Sequence, residues 1–118
     1  MDTINLNEKF NLFSEQWQPK IIAALNDSYV KLAKLQGEFI WHRHDLEDEL
    51  FLVMKGSLRI ELRDRTLQLG EGEMAVIPKG VDHRPVAEEE VWVVLLEPKS
   101  TLNTGNVTNE RTVEPEWI

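Results

Sequence analysis

Residues 37–56 read GEFIWHRHDLEDELFLVMKG, in which two histidines and a glutamate stand between two glycines. His42 and His44 are two positions apart, and Glu49 follows five positions after His44. The remaining histidine of the chain, His83, ends a second stretch, GEMAVIPKGVDH, at residues 72–83. Three neutral imidazoles and one carboxylate are a sufficient ligand set for a divalent transition metal. The two stretches therefore predict one metal site that uses every histidine in the chain.

The first stretch has the pattern of a strand followed by an acidic bend. Successive side chains of a strand point to opposite faces, so a strand here places His42 and His44 on one face and Arg43 on the other. Glu49 would return to the same site from the next strand, and His83 from another part of the sheet. Two histidines at this spacing are, taken alone, more often ordinary surface or core residues than ligands. The glutamate and the second stretch favour the metal site.

Short apolar or alternating segments continue along most of the chain, with turn residues between them. Leu58, Ile60 and Leu62 alternate with charged residues, which is typical of a half-buried strand. Strands at such regular spacing indicate an all-β sandwich or barrel. The predicted strands are residues 20–25, 29–35, 39–44, 50–55, 58–63, 66–69, 74–77, 84–87 and 91–97.

The two ends of the chain differ from this central region. Leu6, Phe10, Phe13 and Trp17 recur at helical spacing, which predicts a short helix that packs on the sheet. The length of 118 residues favours one domain. Its predicted parts are a helix over about residues 5–17, a barrel over about 19–97, and an extended tail over 98–118 that lies on the barrel or on a neighbouring subunit.

Composition excludes several classes of partner. The chain has 13 basic and 21 acidic residues, a net charge of −8, and no run of lysine or arginine, so nucleic acid and anionic membranes would repel it. The longest apolar run, Val91–Leu96, is too short to span a bilayer. Met1–Phe10 lacks the apolar segment of a signal peptide. These features predict a soluble, cytoplasmic protein that binds neither nucleic acid nor membranes.

Both stretches resemble the sequence motifs of the cupin superfamily. In the first, four residues separate His44 from Glu49, and six separate Glu49 from Gly56. Two positions depart from the family pattern: four residues instead of five lie between Gly37 and His42, and Ala87 stands where asparagine is usual. Neither departure removes a ligand. The second motif matches at every spacing: Gly72, five residues, Pro78, one residue, Gly80, two residues, His83.

The resemblance covers about residues 20–97 and implies a small jelly-roll barrel, also called a double-stranded β-helix. It implies that His42, His44, Glu49 and His83 bind one divalent ion inside the barrel, and that two copies form a homodimer through sheet edges. The ion would be iron, manganese, nickel, cobalt, copper or zinc, since the ligand set suits each of them. The tail also resembles one-domain cupins called mannose-6-phosphate isomerase-like.

Three kinds of function fit such a barrel. One is a metal-dependent enzyme that acts on a small molecule, either an isomerase of a sugar-like substrate or an oxygenase. The alternative is a non-catalytic module that binds or senses a small ligand and holds a structural metal. The third is a barrel whose metal is purely structural, or which holds no metal. No catalytic residue is assigned, because the chain has no cysteine and its histidines are used as ligands. Candidate pocket walls are Phe39, Trp41, Phe51, Val53, Met74, Val76, Val93 and Leu95, and candidate polar contacts are Tyr29, Arg59 and Arg84.

Overall fold

One short helix and eight strands follow one another along the chain in the computed structural model, which describes residues 1–118. Helix α1 is Leu6–Phe10. The strands are β1 Lys20–Leu25, β2 Ser28–Glu38, β3 Glu49–Lys55, β4 Leu58–Leu62, β5 Thr66–Leu69, β6 Met74–Ile77, β7 His83–Pro98 and β8 Glu116–Trp117. The predicted all-β fold with a short N-terminal helix is confirmed.

Strand β7 connects the two halves of the sandwich. It pairs antiparallel with β2 along most of its length, from Ser28↔Pro98 to Glu38↔Val86. Its first residues pair with β4, and its later residues pair with β3. Strand order in the larger path is β5-β4-β7-β2-β1-β8, while β6 pairs with β3 alone. This arrangement is the predicted jelly roll.

Two apolar clusters hold the layers together. Twelve buried residues fill the interior, and Val53, Leu58, Ile60 and Val93 have no exposed surface. Burying one such side chain stabilises the fold by about 1.5–3 kcal/mol. A smaller cluster lies beneath α1, where the Phe10 ring stacks on that of Trp92 at 4.8 Å between centroids.

The N-terminal helix is shorter than predicted. It ends at Phe10 and not near residue 17, although Asn5 caps its start by accepting from the Glu8 N–H at 2.9 Å. The following segment leaves the helical path because it contacts β2: the Trp17 N–H donates to the Lys34 carbonyl at 2.9 Å. Tertiary hydrogen bonds therefore override the helical spacing of Phe13 and Trp17.

One predicted strand and one predicted turn were wrong. Residues 39–44 form no strand, and His42 makes only an isolated bridge to His83. Residues 84–87 and 91–97 belong to one strand, β7, because the expected turn at residues 88–90 is a bulge. The register against β2 shifts between Leu35 and Gly37, and Glu88 and Glu89 of the bulge are exposed to solvent.

The C-terminal tail returns to the barrel. Its last strand, β8, pairs parallel with β1, and the Trp117 ring makes an edge contact with that of Tyr29 at 5.6 Å between centroids. Asn106, farther back in the tail, donates its N–H to the Arg43 carbonyl at 2.9 Å. The chain has no helix with the length and apolar character needed to cross a membrane.

Candidate metal centre

Three buried histidines meet inside the barrel. Each of His42, His44 and His83 presents a ring nitrogen, and these nitrogens lie within 4.8 Å of one another. The ring centroids of His42 and His83 are 4.3 Å apart, and those of His42 and His44 are 5.1 Å apart. None of the three residues is more than 3% exposed. The fold thus brings together side chains from both sequence stretches.

Backbone hydrogen bonds join the two stretches directly. The N–H of His42 donates to the carbonyl of His83 at 3.1 Å, and the N–H of His83 donates to the carbonyl of His42 at 2.9 Å. The N–H of Gly80 donates to the carbonyl of His44 at 2.9 Å, and the N–H of Lys79 donates to Asp48 Oδ1 at 2.9 Å. The turn before His83 is therefore fixed on the His42–His44 segment.

Hydrogen bonds to carbonyls also define the orientation of two rings. Nδ1 of His42 lies 2.9 Å from the Ile40 carbonyl, and Nδ1 of His83 lies 2.9 Å from the Val81 carbonyl. A carbonyl only accepts, so each Nδ1 carries a proton, and Nε2 is the ring nitrogen that a metal could bind. This arrangement is the one that metal-binding histidines commonly have.

Glu49, the first residue of β3, completes the cluster. Its Oε1 lies 3.4 Å from His44 Nε2 and 3.5 Å from His83 Nε2. Both of these nitrogens are buried and have no hydrogen-bond partner, a condition that few buried polar atoms share. Imidazole nitrogens and a carboxylate around one point fit a divalent transition metal.

Burial and charge set the protonation of the cluster. Burial, together with the neighbouring His83, lowers the pKa of His42 from 6.5 to about 4. Burial tends to raise the pKa of Glu49, but its close contacts with the Glu97, His44 and His83 side chains outweigh it and hold that pKa well below its usual range. The cluster at neutral pH therefore has a neutral His42 and an ionised Glu49, which are the forms that bind metals.

A second buried carboxyl group lies behind Glu49 and was missed from the sequence. Glu97 is 3% exposed, and burial and the charge of Glu49 raise its pKa well above the usual range. Its Oε1 accepts from Lys31 Nζ at 2.8 Å. The available signal was its position on β7, where Glu97 continues the alternation of Val93 and Leu95, both of which are buried.

The tail also supports the centre, in a way that the sequence did not predict. Gly105 has φ +56°, and a Cβ there would lie 2.2 Å from the Arg43 carbonyl oxygen and 3.2 Å from the His42 ring. The side chain of Asn106 accepts from the Arg43 N–H at 2.8 Å. The tail thus contacts the backbone of Arg43 between the two histidines.

A small cavity of about 40 Å³ lies beside the cluster, with His42, Glu49 and Glu97 among its lining residues. Three predicted wall residues, Phe39, Phe51 and Leu95, do line it. Its mouth includes Trp17, whose ring stacks on that of Phe39 at 4.7 Å between centroids. A larger open groove of about 590 Å³ lies elsewhere, among polar residues and with no histidine.

The other predicted wall residues lie elsewhere. Met74 and Val76 are 53% and 51% exposed on the outer face of β6, because the alternation along this short strand turns them away from the core. Val53 and Val93 belong to the main core. Trp41 lies under the guanidinium of Arg63, 3.8 Å from the ring centroid.

The predicted polar contacts were wrong as well. Arg59 and Arg84 both pair with Glu61 on the surface of the barrel, because acidic neighbours along β4 and β7 satisfy them. Tyr29 packs against Trp117. None of the three lines the cavity.

A β-sandwich with a histidine cluster between its layers defines a class of small barrel proteins, and comparison with known proteins gives the family. The sequence profile described as "Cupin domain" matches residues 28–97. This match covers more than half of the chain, so the protein belongs to the cupin family. A region of 64 residues is 44% identical to the uncharacterized protein YdbB of Bacillus subtilis (strain 168) and covers 53% of this chain and 57% of YdbB. The chain thus spans little more than half the length of that relative.

Solved structures agree with this assignment. A cupin-2 domain containing protein from Shewanella frigidimarina NCIMB 400 is 51% identical, with a TM-score of 0.80 over 81% of this chain and 94% of that one. Protein NMB1881 from Neisseria meningitidis is 37% identical, with a TM-score of 0.76 over 82% of this chain and 99% of that one. KdgF from Halomonas sp. is 26% identical, with a TM-score of 0.59 over 68% of this chain and 78% of that one.

Proposed function

We propose that this cupin binds one divalent transition metal through His42, His44, Glu49 and His83, and that the bound ion acts on a small molecule. Three buried ring nitrogens without partners, Nδ1 and Nε2 of His44 and Nε2 of His83, carry the proposal. Leaving buried nitrogens without partners is unfavourable, and one cation shared with Glu49 would satisfy the two Nε2 atoms. The ligand set suits iron, manganese, nickel, cobalt, copper or zinc.

The proposed reaction is metal-assisted conversion of a substrate that reaches the ion beside the small cavity lined by His42, Glu49 and Glu97. A metal in such a site supplies Lewis-acid polarisation of a bound oxygen, or oxygen chemistry when the ion is redox-active. Isomerisation of a sugar-like molecule and oxygenation are the two reactions we consider.

The second candidate is a non-catalytic module that senses a small ligand beside a structural metal. The small size of the cavity and its apolar walls, which include Leu35 and Phe51, favour this alternative to a limited degree. A sensing module would return its ligand unchanged, whereas an enzyme would release a product. Analysis of the ligand recovered after incubation distinguishes the two.

We also propose that a second copy of the chain covers the outer face of β3 and β6. Leu50 pairs with Val76 and Leu52 with Met74 across these strands, and Met74 and Val76 are about half exposed. Strand β6 has only one neighbour, so its other edge is free. An apolar face that ends in an open edge is typical of an association surface.

Elemental analysis tests the metal proposal. Protein purified without chelators, and protein reloaded with each candidate ion, should contain about one metal per chain, while the double variant His42→Ala/His83→Ala should contain none. Oxygen uptake by the iron(II)-loaded protein then separates oxygenase from isomerase. Metal-free preparations under all loading conditions, or equal metal in the double variant, would refute the proposed site.

A further inference from the structure

An arginine of the C-terminal tail lies against residues that line the cavity beside the histidine cluster. The guanidinium carbon of Arg111 is 5.4 Å from the centroid of the Phe39 ring and 6.0 Å from that of the Trp17 ring, and both rings line the cavity. Asn103, a third lining residue, donates its side-chain N–H to the Arg111 carbonyl at 2.9 Å. Arg111 is thus joined to the cavity wall by both its side chain and its backbone.

The surroundings of Arg111 give its side chain a defined position. Its Nη1 donates to the Glu38 carbonyl at 2.9 Å, and the stacked rings of Trp17 and Phe39 lie within the range of a cation–π contact. Trp17 is itself fixed on β2, because its indole N–H donates to the Gln36 carbonyl at 2.8 Å. The guanidinium is therefore held at the mouth of the cavity although it is exposed to solvent.

The guanidinium of Arg111 bonds to a carbonyl and not to a carboxylate. Glu38, which supplies this carbonyl, directs its own carboxylate to Arg84 at 3.4 Å. A guanidinium has five N–H donors, so most of those of Arg111 remain available to another molecule. Four of the other five arginines do pair with acidic side chains: Arg43, Arg59, Arg63 and Arg84. In a chain with 21 acidic and 13 basic residues, Arg111 is thus a positioned cation that can bind an external anion.

We propose that Arg111 is a specificity-determining residue that binds an oxyanion group, a carboxylate or a phosphate, of the small molecule that reaches the metal centre. Guanidinium groups bind such oxyanions through two parallel hydrogen bonds. The assignment rests on the proposed function, because the same molecule must also contact the ion.

The distance from Arg111 to the histidine cluster is short enough for one small molecule to span. The Phe39 ring stands between them, 5.4 Å from the guanidinium carbon and 5.3 Å from the centroid of the His42 ring. The guanidinium is therefore no farther from His42 than these two distances combined. The proposed ligand has its oxyanion at one end and a metal-binding oxygen at the other.

Titration of the cobalt(II)-loaded protein with carboxylates, followed by visible absorption, tests this assignment, because this absorption depends on the ligands of the ion. Propionate offers one carboxylate to the ion. Succinate, glutarate and adipate add a second carboxylate at increasing distance, and 3-phosphonopropionate adds a phosphonate in place of a phosphate. We expect at least one of these dianions to bind about tenfold more tightly than propionate, in line with one hydrogen bond between charged groups.

Three variants show whether Arg111 provides this difference. Arg111→Gln should reduce the affinity for the tighter-binding dianion about tenfold and leave the affinity for propionate unchanged. Arg111→Lys keeps the charge without the bidentate geometry and should give an intermediate affinity. The matched control is Arg65→Gln, which removes an exposed arginine between β4 and β5 and should match the wild type.

The alternative is an arginine that only fastens the tail to the barrel. It predicts that Arg111→Gln lowers the melting temperature and leaves every anion affinity unchanged, and unchanged affinities would overturn the assignment. A wild type that binds no dianion more tightly than propionate would overturn it as well.

Cobalt content measured in the same samples separates the two proposals. A wild type that takes up no cobalt refutes the proposed metal function, and the assignment of Arg111 with it. A loaded protein whose response to the dianions does not depend on residue 111 keeps that function and loses only the role of Arg111.

Discussion

His42 and His83, which are 41 positions apart in the sequence, are joined by two backbone hydrogen bonds of 3.1 and 2.9 Å. Both bonds form between main-chain atoms, so they require no ion. Together with the bond from the Gly80 N–H to the His44 carbonyl, they place the three histidine side chains around one point as part of the fold itself. The histidine cluster is thus pre-organised, in contrast to the metal sites of zinc fingers, which fold only when metal binds.

The first prediction concerns removal of the metal. Because main-chain hydrogen bonds and the apolar core hold the cluster, chelation should leave the far-ultraviolet circular dichroism spectrum unchanged. The melting temperature should fall, since bound metal adds about 4 kcal/mol when it is present at a thousandfold excess over its Kd. Loss of the β-sheet spectrum after chelation would contradict the prediction and would indicate a metal that is required for folding.

The second prediction concerns the unpartnered nitrogens. Loss of a residue that hydrogen-bonds to a metal ligand commonly weakens metal binding about 10–100-fold. Replacing His44 by Ala, or Glu49 by Gln, removes a proposed ligand itself and should weaken metal binding by more than that. Isothermal titration with zinc measures this change. Glu89→Gln, an exposed acidic residue on β7, is the matched control and should bind as the wild type does. Equal affinities for His44→Ala and the control would remove His44 from the ligand set.

The third prediction concerns acid stability of the metal-free protein. The pKa of His42 is about 4 in the fold and 6.5 as a free group, so the unfolded chain binds a proton first as the pH falls. Between pH 6.5 and 4 this one residue should reduce the free energy of unfolding by about 3 kcal/mol. The Glu97 pKa is raised and acts in the opposite direction.

The measurement is therefore a difference between two proteins. Urea unfolding of metal-free wild type and of His42→Asn at a series of pH values isolates the contribution of His42. The wild type should lose stability more steeply than the variant between pH 6.5 and 4. Parallel curves over this range would show that His42 titrates normally in the fold.

Local spacing in the sequence was sufficient to predict which side chains of the cluster lie close together, and their role as metal ligands stays a prediction. Strand alternation assigned His42 and His44 to one face and Arg43 to the other. The two histidines are buried and Arg43 is only half-buried, although this segment is not a strand. Glu49 and His83 were predicted from motif spacing. The strand pattern similarly predicted most of β1 to β6, because alternation reports which face of a strand is buried.

Features that depend on distant contacts could not be predicted in this way. The helix ends at Phe10 because residue 17 bonds to β2, a contact that no local pattern reports. Gly105 reads as an ordinary turn residue, and only the fold brings it against Arg43. Met74 and Val76 were placed in the pocket because parity within a short strand does not say which of its two faces is the inner one.

The fourth prediction concerns the contact between the tail and the His42–His44 segment. In Gly105→Ala, the new Cβ would overlap the Arg43 carbonyl, which is 2.2 Å away, so the tail or the histidine segment must move. Gly72→Ala is the matched control, because Gly72 also has positive φ (+81°) but has open space around it. The control should lose about 1–2 kcal/mol from backbone strain.

Gly105→Ala should lose more stability than this control and should also bind metal more weakly. Thermal melts and zinc titrations of the two variants measure both effects. If Gly105→Ala behaves like Gly72→Ala in both measurements, the tail does not support the metal centre.

The last prediction concerns the outer face of β3 and β6. If a second copy covers it, then Met74→Glu/Val76→Glu should place charges in the interface and convert a dimer to a monomer, because a buried unpaired carboxylate is strongly unfavourable. Light scattering after gel filtration measures the mass in solution. The control is Leu12→Glu. Leu12 follows helix α1 and is 64% exposed, so this variant adds a charge away from β3 and β6 and should leave the mass unchanged. A wild type that is monomeric, or a double variant that remains dimeric, would show that this face is not the interface between copies.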